Sequence, residues 1–128
     1  MGYRMTVTEC TAKVLDQPGA LAALKAAAPT GDWGSAGWSW IRGSAVREAA
    51  TFQDALERCR WDVDSTTGAI VDFLGENIGD EDTIFAVIAP FMEPGGYIQM
   101  LGEDGERWRW CFDGKVCAQK TARVEWED

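Results

Sequence analysis

The chain has 128 residues, a length that fits one domain, and its 46% hydrophobic content is ordinary for a protein that buries a normal core. A net charge of −9 argues against nucleic acid and anionic membrane as direct partners. No run approaches the roughly 18 apolar residues of a membrane span, and the N-terminus alternates like a strand with no apolar signal region, so a cytoplasmic location is expected.

Residues 3–14 read as a strand, with Tyr3, Met5 and Val7 on one face and Cys10 near its end. Asp16-Gln17-Pro18 then starts a helix, a capping residue followed by proline in the first turn. Leu21, Leu24 and Ala28 share its apolar stripe, and Pro29 stops it. Residues 30–37 form a Gly-rich loop around Trp33, which reads as an exposed aromatic anchor or as a cap on one end of the core. A second strand is expected from Trp38 to about Val46. Thr51 caps the next helix, with Asp54 three residues on, and Phe52, Ala55, Leu56 and Cys59 fall on its buried stripe.

Two strands, 61–64 and 69–74, flank the turn Ser65-Thr66-Thr67-Gly68 as a hairpin. Asp80 is expected to cap a helix from Glu81 to about Ala89, ended or kinked by Pro90. Two tight hairpins close the chain. With Asp104-Gly105 as a two-residue turn, Leu101 faces Trp108, Gln99 faces Trp110 and Tyr97 faces Phe112, all six on one sheet face. Asp113-Gly114 repeats the turn chemistry and pairs Cys111 with Val116. The string β-α-β-α-β-β-α-β-β-β predicts an α+β domain, an antiparallel sheet with helices on one face, with residues 1–128 as a single unit.

Charge is the most uneven property of the chain. Between Arg60 and Arg107 there is no Lys or Arg, and eleven carboxylates stand there: Asp62, Asp64, Asp72, Glu76, Asp80, Glu81, Asp82, Glu93, Glu103, Asp104 and Glu106. The flanking segments are each close to neutral, so the net charge resides in this block. Carboxylates at phosphate-like spacing engage Lys and Arg by charge-assisted hydrogen bonds, so the block reads as a surface for a basic, nucleic-acid-handling protein. The competing reading is solvated faces, with Asp80, Glu81 and Asp82 favouring a helix dipole.

Other chemistries find less support. The chain has no His, which excludes Ser-His-Asp and Cys-His mechanisms. Cys10, Cys59, Cys111 and Cys117 form no C-x-x-C pair and read as reduced, partly buried thiols. Asp62-x-Asp64-x-Thr66 opens like a calcium loop, but Gly68 falls one place late and the twelfth position lacks an acid. Glu103 and Glu106 across a hairpin tip offer a carboxylate pair without a visible cleft. Trp108, Trp110, Phe112 and Tyr97 read as the core face of the sheet rather than a stacking platform.

Ile88-Ala89-Pro90, followed by Tyr97-Ile98-x-Met100-x-Gly102-Glu103-Asp104-Gly105-x-x-Trp108-Arg109-Trp110, resembles a motif of small acidic bacterial and phage-borne proteins. The likeness runs from about Phe52 to Trp126 and brings no catalytic residues with it. In size and charge alone, the chain is similar to anti-CRISPR proteins. The leading expectation is a non-enzymatic inhibitor without a cofactor, acting through Asp62, Asp64, Asp72, Glu76, Asp80, Glu81, Asp82, Glu103, Asp104, Glu106 and Trp33. The alternatives are an antitoxin or immunity protein against a basic toxin nuclease, a small metal-carboxylate hydrolase, and a structural or regulatory oligomer. The partner's identity and the oligomeric state are left open.

Overall fold

The computed structural model describes residues 4–29, 41, 43–75 and 79–122. The elements run β1 (Met5–Cys10), α1 (Gln17–Ala27), α2 (Gly43–Arg47), α3 (Phe52–Arg58), β2 (Trp61–Val63), β3 (Ile70–Phe73), α4 (Glu81–Ile88), β4 (Tyr97–Gly102), β5 (Arg107–Phe112) and β6 (Cys117–Thr121). A 3-10 turn, Ala89–Phe91, carries Pro90 past the end of α4. The antiparallel α+β class stands. One element differs: Gly43–Arg47, expected at the tail of a strand, is the short helix α2. Trp38 and Trp40 lie outside the described residues.

A four-stranded sheet in the order β1-β4-β5-β6 forms the body, and β2 and β3 form a second, two-stranded sheet. The helices pack on one face of the larger sheet. Ile98, Met100, Trp108, Trp110 and Phe112 are buried on that face with Ile84, Phe85 and Ile88 of α4. Trp61 bridges the two sheets, 4.9 Å from Phe73, 5.1 Å from Phe85 and 6.2 Å from Trp110 between ring centroids. Edge and tilted contacts of this kind suit the ring quadrupoles and add to the area each aromatic buries.

Local chemistry explains two helix starts. Asp16 accepts from the Gly19 amide at 2.9 Å, and Thr51 accepts from the Asp54 amide at 3.0 Å, so each satisfies a free donor of the first turn. The sheets meet where residues 11–14 leave β1. There Ile70 N donates to Ala12 O at 3.0 Å, Val14 N to Gly68 O at 2.8 Å and Leu15 N to Phe91 O at 2.8 Å. This seam lays β3 beside the end of β1.

The β4–β5 register is one residue away from the expected one. Met100 faces Trp108, Ile98 faces Trp110 and Gln99 faces Arg109. The loop has three residues, Glu103-Asp104-Gly105, closed by Gly102 N to Glu106 O at 2.8 Å, with Gly105 at φ +88°. A one-residue slip exchanges sheet faces. Tyr97, Gln99 and Leu101 therefore share the outer face with Arg107 and Arg109, and only Trp108, Trp110 and Phe112 of the expected six lie on the core face. At the last hairpin Cys111 faces Ala118 rather than Val116. That is a two-residue shift, which leaves the faces unchanged.

Candidate functional site

Among the described residues, folding divides the acidic block into three groups with different roles and leaves Glu93 exposed apart from them. The first, Asp80, Glu81 and Asp82 at the start of α4, accepts hydrogen bonds from groups of the fold itself. Asp80 occupies the N-cap position at φ 67°, but its side chain does not cap the helix; its Oδ2 accepts from the Ile41 amide at 3.0 Å. Glu81 is 1% exposed. Its Oε1 accepts from Gly79 N at 2.6 Å and its Oε2 from Arg60 Nη2 at 2.9 Å. Asp82 is exposed at the helix surface, yet its Oδ1 accepts from the buried Trp110 Nε1 at 3.1 Å. All three were expected on a partner-binding surface. They are instead acceptors for donors inside the fold, and Glu81 is withdrawn from any such surface outright.

Arg60 anchors this corner. It follows α3 at φ 75°, a left-handed conformation rare for a side chain of its size. Its guanidinium also donates to Gly79 O at 2.6 Å and lies 5.3 Å from the Phe73 ring centroid. Burial pushes the Glu81 carboxyl up to about 7; the Gly79 amide and the Arg60 charge hold it from rising further. Trp61 Nε1 is buried without a hydrogen-bond partner among the described residues.

The second group remains on the surface. Asp62 and Asp72 are directly opposed across β2 and β3. Neither makes an ion pair among the described residues. Like charges in this position oppose strand pairing. Their inward neighbours Trp61, Val63, Ile70 and Phe73 hold the hairpin in the core and fix both carboxylates outward. A bulge beside them places Val71 on the surface, 51% exposed. Asp64 is exposed at the turn, where its Oδ1 accepts from the Thr66 amide at 2.8 Å, a turn-building bond rather than a metal ligand. The sequence reading missed Glu9, which lies outside the cation-free run. The seam brings it beside Asp72, and the two help line a shallow depression of about 330 Å³.

The third group, Glu103, Asp104 and Glu106, is exposed at the β4–β5 tip. Glu103 is tied to the start of the first strand, its Oε1 accepting from Arg4 N at 3.2 Å. Gly102, not Glu103, opposes Glu106 across the loop, so the expected facing carboxylate pair does not form. Glu76 and Trp33 lie outside the described residues.

Burial favours the protonated form of three of the four thiols. Cys10, Cys59, Cys111 and Cys117 are free. Burial pushes Cys59 and Cys117 up to about 12, and Cys10 is raised by the same cause. Among the described residues no group of three or more His, Cys, Asp or Glu is arranged to hold a metal ion. No helix among them is long and apolar enough to cross a membrane. No protein-family model matches the chain, and no curated protein or solved structure matches it.

Proposed function

We propose that this protein is a non-enzymatic inhibitor whose acidic surface occupies a basic, nucleic-acid-handling site of another protein and excludes its substrate. The carrying observation is the Asp62–Asp72 pair: two carboxylates held face to face on a core-packed hairpin, with no ion pair to either among the described residues. That arrangement costs folding stability, and a basic partner converts the cost into attraction. Asp64 and Glu9 extend the negative surface around the pair, and exposed Val71 supplies an apolar contact at its centre. The carboxylates of Glu103, Asp104 and Glu106 project at the far end of β1, about 13 Å along the strand from Glu9 at roughly 3.3 Å per residue.

The test is affinity capture from a bacterial lysate with the wild type and with Asp62→Asn/Asp72→Asn, followed by nucleic-acid binding by the captured protein. The wild type should retain a nucleic-acid-binding protein, release it as salt rises and displace its nucleic acid. The double variant should bind about tenfold more weakly or worse. Equal capture by the variant, or a partner that still binds its nucleic acid when saturated, would rule the reading out.

A further inference from the structure

The face of the larger sheet turned away from the helices carries a second unbalanced cluster, of the opposite sign. Arg109 on β5 directly faces Lys120 on β6, and Arg107 lies two residues along on the same face. None of these cations makes an ion pair among the described residues. Arg109 is held in place: its guanidinium lies 4.1 Å from the Tyr97 ring centroid, and its Nε donates to Gln99 Oε1 at 2.8 Å. Arg109 thus leans over β4 and leaves Lys120 as the cation of β6.

β6 is the outermost strand of this sheet. The bonds Asp113 N to Val116 O and Ala122 N to Arg107 O show that residues 116, 118, 120 and 122 turn their backbone groups toward β5. The amides and carbonyls of Cys117, Gln119 and Thr121 therefore point outward, and none bonds another described residue. An edge of this kind is a template for one more strand. The opposite edge of the sheet, β1, differs because the seam to β3 begins at its end.

We propose that an extended acidic peptide segment of a partner protein adds to the free edge of β6 and sets a carboxylate against Lys120. Carboxylates two residues apart on such a strand fall on one face, where the positive field of Arg107 and Arg109 adds to that of Lys120. A peptide fits better than a nucleic-acid strand. The outward backbone groups are of use to a peptide, Arg109 already covers Tyr97, and the Tyr97 hydroxyl is engaged by Glu9 at 2.7 Å, leaving the ring poorly placed to stack a base. This site adjoins the negative surface through Glu9, which is bonded to Tyr97, but it does not include the Asp62–Asp72 pair and does not depend on that reading.

The experiment is fluorescence polarisation of the full chain with a labelled peptide alternating Glu and Thr. The controls are a Gln-Thr peptide and labelled oligodeoxythymidine. The acidic peptide should bind saturably and weaken as salt rises. Lys120→Gln should weaken it about tenfold. Gln119→Pro should do likewise, because it removes an outward amide without breaking a bond to β5. Three results would each overturn the proposal: no saturable binding, equal binding by the Gln-Thr peptide or by Gln119→Pro, or tighter binding of the oligonucleotide.

Discussion

Glu81 shows how far a single carboxylate can depart from its expected role. Its folded value of about 7 lies above the ordinary 4.5, so between those values the folded chain holds a proton that the unfolded chain releases. Stability from this group is full below about 4.5 and is lost as pH rises through about 7. The melting temperature should therefore fall across that window in the wild type and be nearly flat in Glu81→Gln, as a pH series of thermal melts will show. Glu81→Ala removes the carboxylate facing Arg60 and should cost about 3 kcal/mol in urea unfolding, since one half of a buried pair is left behind. Reversing Asp80, Glu81 and Asp82 together would unfold this corner and report on packing rather than on binding.

At the level of elements, much of the fold was legible because local chemistry decides it. Asp16 and Thr51 cap helices, and the buried stripe of Phe52, Ala55, Leu56 and Cys59 follows helical spacing. The β4–β5 register was not legible from the turn, because Asp104-Gly105 suits a two-residue loop as well as the end of a three-residue one. The strand itself held the answer: Ile98 and Met100 alternate with Tyr97 and Gln99, and only the observed register buries the apolar pair. The two turn glycines should respond unequally to substitution. Gly105→Ala meets no neighbouring atom and should cost only the left-handed backbone, about 1 kcal/mol. Gly68→Ala would drive Cβ into the Val14 carbonyl oxygen, at the seam, and should cost about 3 kcal/mol or more. Urea midpoints of the two variants will separate these effects.

Over the whole molecule, charge is sorted rather than merely negative. The cation-free run was plain in the sequence. Its division into internal acceptors, a hairpin face and a loop tip was not, because it depends on which donors the fold brings to each carboxylate. Glu9 joins the hairpin face only through a contact between sheets. The like-charge pair of Asp62 with Asp72 should make the protein more stable as salt screens it. We expect added sodium chloride to raise the melting temperature by a few degrees, about 3 °C, and Asp72→Asn to raise it at low salt alone. A fall with salt would mean that attractive surface pairs dominate.

The pairing of Met5 with Gly102 joins the start of the described chain to its last quarter. During synthesis β1 therefore leaves the ribosome long before β4 exists, and closing so long a loop is slow. A nascent chain halted before β4 could fold its helices and the Asp62–Asp72 hairpin, yet the strand that supplies Glu9 would hang unpaired beside them. The negative surface is thus completed only late in translation, when β4 pairs with β1 and fixes Glu9 beside Asp72.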